Sequence, residues 1–88
     1  MSTVDATFRA LADPTRRAIL QRLTRGPATV GDIASPFSIS IQATSKHLRV
    51  LEGARLILKH KSGRERVISL NRAALREAEA FIVKICTI

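Results

Sequence analysis

In the stretch SIQATSKHLRVLE, residues 40 to 52, four side chains recur at i, i+3, i+4 and i+7: Gln42, Ser45, Lys46 and Arg49. At about 100° per residue these four share one arc of a helix. Glutamine can pair bidentately with adenine, lysine and arginine with guanine, and serine is small enough to let a backbone approach. A solvated helix face normally mixes signs, yet this arc carries two cations and no acid, with Glu52 off to one side. A short basic stripe can also be a merely solvated face, so the helix alone does not decide between the two.

The segment that follows adds weight to a polyanion. LILKHKSGRERVISL predicts two short strands around Ser62-Gly63, apolar at the base and basic at the tip, where Lys59, Lys61, Arg64 and Arg66 crowd together. From Thr44 to Ile68 there are seven Lys and Arg (Lys46, Arg49, Arg55, Lys59, Lys61, Arg64, Arg66) against Glu52 and Glu65, a surplus of five within a chain of net charge +8. Charge concentrated on a helix and an adjoining finger is the footprint expected for a nucleic-acid backbone.

Other chemistries find less support. The chain has one cysteine, two histidines distant in sequence, seven acids and no glycine-rich phosphate cradle, so no acid, base and nucleophile can be assembled and no enzyme is expected. His47 and His60 lack a common ligand spacing and Cys86 has no partner thiol, so no metal or other cofactor is expected. His47 is expected to make a phosphate or packing contact, and His60 to be a half-exposed strand residue. Charge alone leaves an anionic membrane surface open, but no apolar run approaches the ~18 residues that span a bilayer. The first twenty residues lack a basic segment followed by an apolar one, and a cytoplasmic location is expected.

The elements that must position these residues can be read along the chain. Its 88 residues allow a single domain, residues 1–88, with a modest core. Val4, Phe8 and Leu11 recur at helical spacing; Asp13-Pro14 then caps and opens a second helix that carries Ile19, Leu20 and Leu23 inward and ends near Arg25, before Gly26-Pro27. Thr29 and Asp32 form a capping box for a short third helix with Val30, Ile33 and Ala34 inward, which Pro36 interrupts. FSIS predicts a turn with Phe37 and Ile39 as buried anchors and Ser40 as the cap of the helix that runs to about Gly53, burying Thr44, Leu48 and Leu51. Asn71 is placed to cap a last helix on which Leu75, Ala78, Ile82 and Ile85 form one stripe, with Phe81 at its edge. The predicted fold is mainly α with a small β-hairpin, in the order α-α-α-α-β-β-α.

ALADPTRRAILQRL, DIA, SIQATSKHLRVLE and SGRERVISL together resemble the winged helix-turn-helix transcriptional repressors of the ArsR/SmtB class, over roughly Phe8 to Leu75. The resemblance implies a homodimer on two-fold double-stranded DNA, with the helix from Ser40 in the major groove and the hairpin of residues 56–70 as a wing. The residues expected at DNA are Arg16, Ser40, Gln42, Ser45, Lys46, His47, Arg49, Lys61, Arg64 and Arg66. The first and last helices of that class form the dimer contact, which here implies Val4, Phe8, Leu11, Leu75, Ala78, Phe81, Ile82 and Ile85. The apolar C-terminal FIVKICTI is expected against a partner subunit. Metal-sensing members carry a cysteine pair on the helix that corresponds to TVGDIA, or His and acid ligands on the last helix; neither is present, which implies a non-metal-sensing regulator of unread effector. Relatives close the recognition helix with a glycine where this chain has Arg55, so either Arg55 takes left-handed geometry or the helix ends at Gly53. A basic winged module that binds a protein partner or double-stranded RNA remains the alternative, and RNA's deep, narrow major groove would exclude the helix.

Overall fold

The computed structural model describes residues 3–87. Its elements run α1 (Thr3–Leu11), α2 (Pro14–Leu23), β1 (Ala28–Thr29), α3 (Val30–Ala34), a 3₁₀ turn (Ser35–Phe37), α4 (Ile41–Gly53), β2 (Ile57–Ser62), β3 (Glu65–Leu70) and α5 (Arg72–Cys86). The order agrees with the sequence reading except for β1, a two-residue strand that joins the hairpin to make an antiparallel sheet ordered β1-β3-β2. Ala28 pairs with Ile68 and Thr29 with Val67. Two residues are too few to display an alternating pattern, so only the presence of β3 beside them makes this a strand.

The boundary between α1 and α2 explains the string ADPTRR. Proline disfavours helical geometry in the residue before it, so α1 cannot run on through Asp13, which is extended (φ −99°, ψ 128°). The Asp13 carboxylate accepts the backbone N–H groups of Thr15 (2.8 Å) and Arg16 (3.1 Å), satisfying two of the orphan donors of α2. The two arginines then turn back on α1: Arg16 donates Nε to the Ala10 carbonyl (2.7 Å) and Nη2 to that of Arg9 (3.2 Å), and Arg17 donates Nη1 to that of Leu11 (2.7 Å). Cations at a helix C-terminus also oppose the negative end of its dipole. The string is thus a two-way clasp, capping one helix forward and the other backward.

The core lies where α2, α3 and α4 meet the base of the sheet. Ile19, Leu23, Ile33, Leu48, Leu51, Leu56, Ile57 and Ile68 are all 2% exposed or less. Each such side chain contributes about 1.5–3 kcal/mol by leaving water. Truncating Leu51 at the centre to alanine would cost about 2–5 kcal/mol. Two threonines are buried among them without orphaned hydroxyls, Thr7 donating to the Thr3 carbonyl (3.0 Å) and Thr44 to that of Ser40 (2.9 Å).

Several local expectations shift. The second helix ends at Leu23, and Thr24, Arg25 and Gly26 close it with tighter bonds to the carbonyls of Gln21, Arg22 and Leu23, each 3.2 Å. The third helix ends at Ala34, ahead of Pro36 as expected, and Pro36 then sits in the first turn of the 3₁₀ segment, where its missing N–H is not needed. Phe37 and Ile39 are half-buried rather than buried anchors. Asn71 holds the N-cap position of α5 without capping it, because its side-chain amide donates instead to the Arg55 carbonyl, 2.7 Å away.

The apolar stripes of α1 and α5, expected together at a dimer contact, are divided between the chain's own interior and its surface. Ala78 is buried within the chain, Leu11 and Leu75 pack partly on the core, and Val4 and Phe8 are half-buried. The Phe8 and Phe81 rings meet edge to face, centroids 5.8 Å apart. What stays uncovered is the end of α5, where Phe81, Ile82, Val83 and Ile85 are 46–61% exposed. Of the C-terminal FIVKICTI, Ile88 lies outside the described residues.

Candidate nucleic-acid interface

Helix α4 starts at a serine cap: Ser40 is extended and its Oγ accepts the Ala43 N–H at 3.0 Å. Thirteen residues then rise about 20 Å, enough to lie along a groove. Thr44, Leu48 and Leu51 face inward and are buried, which turns the opposite arc outward. On that arc Gln42, Lys46 and Arg49 are exposed and Ser45 is half-buried beside them; His47, off the arc, is half-buried.

The far end of α4 is closed by a Schellman motif. The Leu56 N–H donates to the Leu51 carbonyl (3.0 Å) and the Arg55 N–H to that of Glu52 (2.9 Å), while Arg55 itself takes φ +62°. Both alternatives for this end therefore meet, since the helix stops at Gly53 and Arg55 takes the left-handed position that glycine fills most easily. Asn71 ties this corner down twice, through its amide bond to the Arg55 carbonyl and its backbone N–H to the Leu56 carbonyl (2.9 Å).

The wing starts directly from that corner. β2 and β3 pair from Ile57 with Leu70 to Ser62 with Glu65, leaving Gly63-Arg64 as a two-residue turn, one residue later than the Ser62-Gly63 centre. Gly63 has φ +64°, the sign required at the first position of a type II′ hairpin turn. Lys61 lies directly across from Arg66, and like charges in that relation destabilise a sheet. Lys61, Arg64 and Arg66 are exposed, as is His60 in β2. Lys59 is instead turned to Glu52 of α4 (Nζ to Oε1, 3.4 Å), a pair that ties wing to helix.

Arg16 stands apart from the other residues expected at DNA. Its guanidinium is occupied by the α1 carbonyls and lies 4.0 Å from the Asp13 carboxylate. The Arg16 backbone N–H holds the Asp13 carboxyl below the ordinary aspartate range; partial burial works against this, and the Thr15 N–H and the charges of His47 and Arg16 assist it. Among the described residues no three His, Cys, Asp or Glu side chains are grouped to hold a metal ion, and no helix is long and apolar enough to cross a membrane. Sequence reasoning found Asp13 as the cap of α2 but missed the backward half of the clasp, in which Arg16 and Arg17 reach the carbonyls of α1, although two arginines just after Pro14 were its signal. It also passed over Ile41, the first residue of α4, whose side chain is half exposed.

A helix-turn-helix domain model matches residues 11–60. The chain is 45% identical over 71 residues to the HTH-type transcriptional regulator Rv2034 of Mycobacterium tuberculosis, covering 81% of this chain and 66% of that protein. It is 44% identical over 71 residues to the transcriptional repressor SdpR of Bacillus subtilis, covering 81% and 79%. Among solved structures, that of an ArsR family transcriptional regulator superposes with a TM-score of 0.88 at 41% identity, covering 94% of this chain and 91% of that one. With the fold, the capped helix α4 and the basic wing in agreement, the chain belongs to the helix-turn-helix transcriptional regulators of the ArsR type.

Proposed function

We propose that this regulator is a dimeric, sequence-specific repressor that lays α4 in the major groove of a two-fold operator and rests its wing on the flanking backbone. The observation that carries the reading is the outward arc of α4, with Gln42, Lys46 and Arg49 exposed and no acid between them. Gln42 and Ser45 sit near the start of the helix, where side chains reach base edges, and Lys46 and Arg49 follow towards guanines or phosphates. Ser40 keeps its hydroxyl proton free for a phosphate while its oxygen caps the helix. His47 serves from the inner flank as a phosphate or packing contact. On the wing, the facing Lys61 and Arg66 and the neighbouring Arg64 are neutralised by phosphates, which offsets their mutual repulsion. Arg16 contributes by fixing α2 to α1 and only secondarily as a cation near the backbone.

Dimerisation is the second half of the proposal. Phe81, Ile82 and Ile85, with Phe8 and Val4 beside them, form an apolar face that a second copy would cover, while Leu11, Leu75 and Ala78 support it from within. Two copies related by a two-fold axis would present their α4 helices to half-sites one helical turn apart. The chain acts in the cytoplasm on this reading, and its signal is not carried by a bound metal.

Selection of bound DNA from a random duplex pool tests this. The expected result is a two-fold consensus with half-sites about 10–11 base pairs apart. Failure to enrich any duplex, or equal retention of double-stranded RNA of the selected sequence, would overturn it.

A further inference from the structure

We propose that Ile41 is a specificity-determining residue that recognises the C5 methyl group of a thymine in each operator half-site. The inference rests on the reading that α4 enters the major groove, and names a base preference within it. Ile41 is the first residue of α4 and its side chain is 50% exposed. It is not one of the side chains packed on the core. Its neighbours along the helix are Ser40, Gln42 and, one turn on, Ser45.

Half of the surface of this β-branched side chain stays in water in the free protein, so a contact that buries it is favourable. A protein partner is a poor candidate to cover it: the exposed apolar face of α5 is on another element, whereas Ile41 adjoins the exposed Ser40 and Gln42, with Ser45 one turn on. The major groove offers a better one. Base edges there present donors and acceptors, and the thymine methyl is their one apolar group. About 100° around the helix from Gln42, Ile41 would meet the base pair beside the one that the glutamine reads. Its stiff χ1 means that little freedom is lost when the contact forms.

The test uses the duplex enriched by the wild-type chain from the random pool, with each thymine in turn replaced by deoxyuridine in both half-sites. That change deletes the methyl and leaves every donor and acceptor in place. At one thymine per half-site the wild type is expected to lose about fourfold in affinity per methyl, the effect of burying one methylene-sized group. Ile41→Ala is expected to bind the thymine duplex more weakly and to lose most of its sensitivity to the replacement; Ile41→Val is expected to keep part of it. The deoxyuridine series on the wild type does not depend on any variant folding. Indifference of the wild type at every thymine, a consensus without thymine, or undiminished sensitivity in Ile41→Ala overturns the proposal. If Gln42→Ala still loses discrimination while deoxyuridine has no effect, only the role of Ile41 fails. If no duplex is enriched, or Gln42→Ala and Lys46→Ala bind as wild type does, the placement of α4 fails and this assignment with it.

Discussion

Arg55→Gly is expected to make the protein more stable, although it removes a cation from a helix end. Arg55 has φ +62° at the residue that follows the cap of α4, and a side chain in left-handed geometry crowds its own carbonyl, at about 1–2 kcal/mol. Glycine removes that strain and keeps both Schellman hydrogen bonds, because they use backbone atoms alone. Against the gain stands the greater freedom of glycine in the unfolded chain, about 0.4–1 kcal/mol. The Arg55 side chain is exposed, so little packing is sacrificed. The net expectation is about 0.5–1 kcal/mol of stabilisation, or roughly 3–6 °C in melting temperature for a domain of this size. Because the substitution also lowers the net charge, Arg55→Ala is the necessary control: it loses the charge and keeps the strain. Urea and thermal unfolding at one fixed protein concentration, since dimers melt in a concentration-dependent way, should place Gly above Ala by about 1 kcal/mol. Equal midpoints for the two variants would refute the idea that strain at residue 55 is what glycine relieves.

Reading and holding should separate at the interface. Gln42→Ala should cost about 1–3 kcal/mol on the selected operator and little on scrambled duplex, whereas Lys61→Ala should weaken both alike and flatten the salt dependence by about one unit for each phosphate no longer neutralised, both measured by fluorescence anisotropy at several salt concentrations. Ile82→Glu combined with Ile85→Glu, both on the exposed end of α5, should give folded monomers with much weaker operator binding; sedimentation that shows wild-type monomers at micromolar concentration and above would contradict the dimer. Asp13, held below the ordinary aspartate range chiefly by the Arg16 N–H, contributes stability that is complete above the unfolded value of about 4 and is lost as pH falls through the folded one. Asp13→Asn keeps a capping oxygen but not the charge, so wild type should be the more stable at neutral pH and the two should converge as pH falls below about 4; a difference that stays the same from pH 7 down into that range would count against this assignment.

What sequence alone determined is local: caps, periodicities and the clustering of charge. Ser40, Thr29 and Asp13 act as the caps that their types and spacing predict, because capping satisfies N–H groups within three residues of the cap itself. Thr44, Leu48 and Leu51 are buried as their spacing requires, which in turn directs Gln42, Lys46 and Arg49 outward. Tertiary structure decided whatever depends on a partner distant in the chain. The strand at Ala28–Thr29 exists because β3 lies beside it, and Asn71 gives its side chain to the Arg55 carbonyl, sixteen residues away, rather than to its own helix. Arg16, one cation among several in sequence, gives its guanidinium to the carbonyls of α1, since the Asp13-Pro14 corner brings them within reach. The same limit applies to α5: its period marks an apolar stripe, but only packing against α1 divides that stripe into Ala78, covered within the chain, and Phe81, Ile82 and Ile85, left uncovered. Spacing specifies which residues share a face, whereas how far a neighbouring element reaches decides how much of that face it covers.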